Sequence, residues 1–140
     1  MRILSVDLGS ARTGLAICDE NEVLASPIGT VEQRDRDRLR DTIADTAKQY
    51  GAAEIVVGLP KNMDGSKGAS AQSAETFAES LRELTGLPVH LWDERLTTVS
   101  AIGYLNDTNV RGKKRKQLVD TVSATILLQE YLDHRHRGDR

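Results

Sequence analysis

The hydrophobic periodicity of this 140-residue chain changes at about residue 35. Before that point, short apolar runs are separated by short polar turns, which is typical of consecutive β-strands. We predict strands at residues 2–8, 15–18 and 23–25. Because the connections between them are tight, the three strands are expected to form an antiparallel meander.

Beyond residue 35, apolar residues recur at helical spacing and alternate with short continuous apolar runs. Helices are predicted at residues 35–50, 70–85 and 114–134, with a shorter helix starting at Thr97 or Thr98 and ending at 105. Strands are predicted at residues 54–58 and 88–92. The first of these carries Ile55, Val56 and Val57 in succession, as expected of a strand buried on both faces.

This order predicts one α/β domain over residues 1–140. Its sheet is mixed and five-stranded, three antiparallel strands being followed by two parallel ones, with helices on both faces. Hydrophobic residues make up 39% of the chain and charged residues 29%, which is typical of a soluble globular protein. We predict a cytoplasmic protein that has no membrane partner. The single cysteine, Cys18, excludes an internal disulfide and a cysteine-cluster zinc site.

Three carboxylates lie where a core favours apolar groups. Asp7 is near the end of the first strand, on the face of Ile3 and Ser5, and Glu94 directly follows the apolar strand at 88–92. Asp120 precedes an apolar stripe in the last helix. Buried carboxylates are costly and repel one another unless a cation lies among them, and oxygen ligands favour Mg²⁺ or Mn²⁺.

Each acid also has a structural interpretation when it is taken alone. Asp7 could shape the turn before Gly9, Glu94 could pair with Arg95, and Asp120 could complement the dipole of its helix. The metal-site prediction therefore depends on the joint placement of the three acids at one edge of an α/β sheet.

The charge is unevenly distributed along the chain. Residues 1–94 carry 10 basic and 16 acidic residues, whereas residues 95–140 carry 9 basic and 5 acidic ones. Much of the excess lies in a predicted basic loop at about 107–116, which contains five bases: Arg111, Lys113, Lys114, Arg115 and Lys116. The segment suits a phosphate backbone, although such a run can also be a solvated surface. A flexible tail is predicted at about 135–140.

Four ordered motifs resemble one known family. They are residues 6–16 (VDLGSARTGLA), 57–65 (VGLPKNMDG), 93–98 (DERLTT) and 120–129 (DTVSATILLQ). They are similar to the motifs of the YqgF-type Holliday junction resolvases, also described as pre-16S rRNA nucleases, and the match extends over roughly residues 2–133. The family commonly has alanine where this chain has Ser123.

The resemblance implies a ribonuclease-H-like fold with Asp7, Glu94 and Asp120 as the metal-binding acids. Asp93 is the alternative to Glu94, and strand alternation puts the two on opposite faces. The sequence does not decide which of those faces holds Asp7. We prefer Glu94 by resemblance. The candidate contacts to a substrate backbone are Ser10, Thr13, Lys67, Arg95 and the five bases of the basic loop.

The predicted function is that of a metal-dependent nuclease acting on structured nucleic acid. Its catalytic acids would hold two Mg²⁺ or Mn²⁺ ions. The predicted substrates are the 5′ region of precursor 16S ribosomal RNA and Holliday junctions, between which the sequence does not distinguish. A symmetric junction would suit a homodimer. The alternatives are a non-catalytic nucleic-acid or transcription-complex module and an actin-like ATPase, for which 140 residues supply only one lobe.

Overall fold

A computed structural model describes residues 1–9, 11–59, 69–93 and 112–138 of the chain. The strands are β1 (Ile3–Asp7), β2 (Arg12–Cys18), β3 (Ala25–Glu32), β4 (Glu54–Leu59) and β5 (Val89–Asp93). The helices are α1 (Arg36–Tyr50), α2 (Ala69–Thr85) and α3 (Gly112–Gly138). The predicted short helix at 97–105 lies outside the described residues.

The five strands form one sheet in the order β3-β2-β1-β4-β5. β2 pairs antiparallel with both β1 and β3, while β4 pairs parallel with β1 and β5. The predicted mixed sheet is therefore confirmed. The parallel strands β1, β4 and β5 end at the same edge, where register pairs Leu59 with Asp93.

Helices cover both faces of the sheet. On one face, α1 and α2 pack over a cluster that includes Leu4, Val6, Ile55 and Val57. On the other face, α3 packs over the remaining core, which consists of Ile3, Ala16, Cys18, Ala25, Val56, Ala124, Leu127, Leu128 and Leu132. Alternate residues of β1 and β4 thus enter opposite cores, as the continuous apolar run of β4 predicts.

Local signals fix the ends of α1. The Asp35 side chain caps the helix by accepting from the backbone amides of Asp37 and Arg38, and Gly51 ends it in the left-handed conformation at φ 68°. Both residues are of the types that these positions favour.

The third strand differs from its prediction. Residues 23–25 are predicted as a strand, but β3 begins at Ala25 and extends to Glu32, and Val23 and Leu24 are exposed. The Asp19 carboxylate accepts from the backbone amides of Val23 and Leu24, which holds this segment in a turn. β3 is an edge strand, a position in which Pro27 is tolerated because its missing amide need not face a neighbour.

The last helix is longer than predicted at both ends. It begins at Gly112 rather than 114, so Lys113, Lys114, Arg115 and Lys116 belong to the helix and not to a loop. It continues to Gly138, and Arg135 approaches the Glu22 carboxylate at 2.9 Å, so the start of the predicted flexible tail is ordered. In the described part of the chain, no helix is both long enough and apolar enough to cross a membrane.

Candidate active site

Asp7 is the last residue of β1 and lies at the edge where the parallel strands end. Its pleat position puts it on the face of Ile3 and Ser5, which is the face that α3 covers. The residue opposite Asp7 on β2 is Gly14, which has no side chain to occupy the space beside the carboxylate. Asp7 is half-buried, so the group combines partial desolvation with access from the sheet edge.

Hydrogen bonds with the sheet set the direction of α3. The Ser5 hydroxyl donates to the Ala124 carbonyl at 2.7 Å, and farther along the helix the Tyr131 hydroxyl donates to Glu54 at 2.8 Å. Between them, the Gln129 side chain accepts from the Ala25 amide at 3.1 Å. Because Glu54 is the first residue of β4, the second half of α3 lies at the edge opposite Asp7.

It follows that the first half of α3 is directed towards Asp7. Asp120 precedes Ala124 by one turn of the helix, and Asp7 follows Ser5 by two residues along the strand. The strand and the helix run in opposite directions, so both steps lead to the same edge of the sheet. The structure thus brings the backbone positions of two predicted acids to the same side of the Ser5–Ala124 contact.

The alternation of side chains along β5 bears on the choice between Asp93 and Glu94 as the metal-binding acid. Val89 and Leu91 pack in the core under α1 and α2, whereas Trp92 packs against the α3 core that contains Ile3. Asp93 ends the strand, and its side chain is outside the described part. Glu94 lies outside the described residues. Strand alternation predicts that Glu94 shares the face of Trp92, which is also the face of Asp7.

The turn between β1 and β2 is held close to Asp7 from the α1 side. The Arg36 guanidinium donates to the Gly9 carbonyl at 2.9 Å, and the Gln33 amide donates to the Ala11 carbonyl at 3.1 Å. A side chain at position 9 would collide with the Arg12 carbonyl, so the turn requires glycine there. Hairpin geometry therefore accounts for Gly9, and Arg36 is a contributor that the sequence analysis did not find.

The predicted substrate contact Thr13 is placed differently from Asp7. Thr13 is fully buried, and its register on β2 gives it the face of Leu15, which is under α1 and α2. Within the described part of the chain, its Oγ1 atom has no hydrogen-bond partner. Thr13 therefore lies on the face of the sheet opposite to that of Asp7.

The other predicted substrate contacts are described only in part. Ser10, Lys67, Arg95 and Arg111 lie outside the described residues. Lys113, Lys114, Arg115 and Lys116 form the first turns of α3, but their side chains are not described. α3 nevertheless carries these four bases and Asp120 on one continuous element, with the bases at the end nearer the Asp7 edge.

Comparison with known families identifies the chain. The family model described as "RuvX: Holliday junction resolvase" matches residues 1–134. The chain belongs to the RuvX family. A relative from Bacillus cytotoxicus is 44% identical over 135 residues, covering 95% of this chain and 98% of its own, and one from Anaeromyxobacter is 44% identical over 136 residues, covering 97% and 99%. Both carry the name "Putative pre-16S rRNA nuclease".

Solved structures agree with the RuvX assignment at the level of fold. RuvC of T. thermophilus in complex with a Holliday junction substrate superposes with a TM-score of 0.62 at 12% identity, covering 98% of this chain and 96% of that one. The fowlpox virus Holliday junction resolvase gives 0.58 at 16% identity, covering 96% and 99%. The predicted ribonuclease-H-like fold, the family resemblance and the nuclease class are therefore confirmed.

The described part of the site fits a hard divalent cation, the type of cofactor that the fold family implies. Asp7 supplies a half-buried carboxylate at an edge that adjoins α3, and the residue opposite it on β2, Gly14, has no side chain. Oxygen donors of this kind are the ligands that Mg²⁺ and Mn²⁺ prefer. Among the described side chains, no cluster of three potential ligands forms a complete metal site. Asp120 and Glu94 are not among those side chains.

Proposed function

We propose that this RuvX-family protein is a metal-dependent nuclease that hydrolyses phosphodiester bonds in structured nucleic acid. The observation that carries the proposal is the direction of α3, which brings position 120 to the edge where Asp7 ends β1. Family membership supports the reaction class, and the acid positions support the metal dependence.

In this proposal Asp7, Glu94 and Asp120 hold two Mg²⁺ or Mn²⁺ ions. When bound, such a pair lowers the pKa of an attacking water and offsets charge on the leaving oxygen. Two of these acids, Asp7 and Asp120, belong to elements that packing holds in place, because β1 is central in the sheet and α3 is docked by hydrogen bonds at Ala124 and Tyr131. Carboxylates fixed in this way need little reorganisation when the substrate binds.

The basic residues position the nucleic acid. Lys113, Lys114, Arg115 and Lys116 lie in the first turns of α3, the part of the helix before Asp120, and Arg111 precedes them. Their contacts with phosphates would release counterions and contribute a salt-dependent affinity without base specificity. Ser10, Lys67 and Arg95 are proposed to contact the same backbone. The burial of Thr13 argues against including it.

The names of the relatives support two substrates. Curated relatives are named for pre-16S rRNA, while the family model and the RuvC complex are named for Holliday junctions. We propose the 5′ region of precursor 16S ribosomal RNA as the principal substrate because the full-length relatives at 44% identity carry that name. The homodimer and the cytoplasmic location stay predictions.

A cleavage assay tests the proposal. The protein is incubated with end-labelled precursor 16S rRNA and with four-way DNA junctions, in Mg²⁺, in Mn²⁺ and in EDTA. We expect cleavage of the RNA that requires metal and is lost in Asp120→Asn. Cleavage of the four-way junctions alone would make the DNA junction, and not the RNA, the substrate. Binding that persists in EDTA, with no cleavage of either substrate, would replace the nuclease by a non-catalytic module.

A further inference from the structure

A hydrogen bond joins the strand that carries Asp7 to the helix that carries Asp120. The Ser5 hydroxyl on β1 donates to the backbone carbonyl of Ala124 on α3 at 2.7 Å, and both residues are fully buried. The partners are separated by 119 positions in the sequence. The large majority of buried hydroxyls are hydrogen-bonded, and the partner of Ser5 is the main chain of the facing helix.

The small size of the two residues allows a close approach. Serine on the strand and alanine on the helix are both small, and the Ser5 hydroxyl reaches the Ala124 main chain directly at 2.7 Å. The Ala124 carbonyl is in mid-helix, where it also accepts the helical hydrogen bond from residue 128. The serine is therefore not needed to satisfy that carbonyl, and its effect is to fix the helix against the strand.

The contact is near both acids. Asp7 follows Ser5 by two residues on the same face of β1, and Asp120 precedes Ala124 by one turn of α3. Two extended residues and one helical turn each span about 5–7 Å, so the backbone positions 7 and 120 each lie about that far from the Ser5–Ala124 pair, towards the same edge of the sheet.

We propose that Ser5 is a positioning residue, whose hydrogen bond to Ala124 fixes the spacing of β1 and α3 and thereby the separation of Asp7 and Asp120. The inference rests on the proposed function, because it treats these two acids as ligands of one metal site. It adds a residue whose hydroxyl touches neither metal nor substrate. A shift of the helix at this point displaces one carboxylate relative to the other and weakens their joint coordination.

Two further hydrogen-bonded side chains of α3, among those described, are less able to fix that spacing. The Gln129 side chain bonds the Ala25 amide and the Val23 carbonyl, and Tyr131 bonds Glu54 at the opposite edge of the sheet. Both lie farther from Asp120 along the helix than Ala124 does. They determine which way α3 runs, whereas Ser5 determines how near its first half lies to β1.

The test compares Mn²⁺ binding, measured by calorimetric titration, in the wild-type chain, Ser5→Ala, Ser5→Cys and Gln129→Ala. Gln129→Ala is the matched control, because it also removes a side-chain bond between α3 and the sheet. We expect Ser5→Ala to weaken Mn²⁺ binding about tenfold, the lower end of the effect for groups that orient metal ligands. Ser5→Cys, with a weaker donor, should recover part of the affinity, and Gln129→Ala should keep it within about twofold of wild type.

Cleavage rates measured against Mn²⁺ concentration give a second readout. In Ser5→Ala, the concentration for half-maximal cleavage should rise about tenfold while kcat at saturating metal stays near wild type. Unchanged Mn²⁺ binding in Ser5→Ala would overturn the inference and leave the proposed function standing, as would an equal loss in Gln129→Ala. A wild-type chain that binds no Mn²⁺ would overturn both. If Ser5→Ala does not fold, Ser5→Cys decides by the same comparison.

Discussion

The phenolic hydroxyl of Tyr131 on α3 donates a 2.8 Å hydrogen bond to Oε2 of Glu54, the first residue of β4. Glu54 is 4% exposed, and its carboxylate is also approached by His90 at 3.3 Å and by Arg135 at 3.6 Å. This group of four residues anchors the second half of α3 at the sheet edge opposite Asp7. A buried acid can persist there because a hydroxyl and a cation surround it.

Tyr131→Phe should lower the free energy of unfolding at neutral pH by about 2 kcal/mol, because a hydrogen bond to a buried charged group is lost. Burial and the bond to Glu54 raise the pKa of Tyr131 from 10.0 to about 12. A raised folded-state pKa stabilises the fold fully below the ordinary pKa, and this contribution disappears as pH rises through the folded value.

Urea unfolding between pH 9 and pH 12 measures this effect. The wild-type chain should lose stability between about pH 10 and pH 12 more steeply than Tyr131→Phe does. Tyr50→Phe, which removes the same group from the end of α1, is the control and should follow the wild type. An equal alkaline loss in Tyr131→Phe would mean that another group causes it.

Glu94→Gln and Asp93→Asn should separate the two neighbouring acids. β5 alternates between the two cores, and Trp92 shares the α3 face with Ile3, so the alternation favours position 94 for the side of Asp7. We expect Glu94→Gln to lower kcat/KM by more than about a hundredfold and Asp93→Asn by less than about tenfold. A larger loss of kcat/KM in Asp93→Asn than in Glu94→Gln would identify Asp93 as the metal-binding acid.

Gly9→Ala should reduce both stability and cleavage. The added methyl group would meet the Arg12 carbonyl, so the turn beside Asp7 has to move. Overpacking of this kind costs about 1–3 kcal/mol. Gly51→Ala is the control, because its positive φ of 68° makes the substitution costly while nothing lies within 4 Å of an added Cβ. Gly51→Ala should lower the melting temperature and leave kcat unchanged. If it lowers kcat as much as Gly9→Ala does, the turn beside Asp7 has no special role in cleavage.

The double variant Lys113→Gln/Lys116→Gln should weaken nucleic-acid binding most at low salt. Each phosphate contact removed from duplex DNA should reduce the slope of log Kd against log salt by about 0.9. Binding is measured in the Asp7→Asn background to prevent cleavage. Lys48→Gln, in the last turn of α1, is the matched control. If the slope is the same for both variants, these bases do not contact the backbone.

Several parts of the fold follow from local signals in the sequence. Asp35 and Gly51 fix the ends of α1 because capping depends on a few adjacent groups. On α2, Phe77, Ala78 and Leu81 are buried at helical spacing, whereas Leu84, which continues the same apolar pattern, is 49% exposed. Leu84 is in the last turn of α2 and borders an open pocket with Ala47 and Leu87, which the helical pattern alone does not show.

The length of β3 could not be read from its own residues. Ser26, Pro27 and Gly29 have the composition of a turn, whereas Val23 has that of a strand and Leu24 is apolar. The backbone pairing with β2 outweighs these preferences, and the register shift between Leu15 and Ala16 accommodates an extra residue. The sequence analysis does not predict the buried position of Glu54 for a similar reason, since its partners Tyr131 and Arg135 lie more than 70 positions away.

The sequence by itself determined the order of the elements, the family and the three candidate acids, because motif spacing and hydrophobic period are local properties. It left open which face of β5 is shared with Asp7 and how the last helix lies. Only the tertiary structure decided these, through the Ser5–Ala124 and Tyr131–Glu54 hydrogen bonds and the packing of Trp92 against the α3 core. Such contacts join distant segments, and their energies depend on burial that exists only in the folded chain.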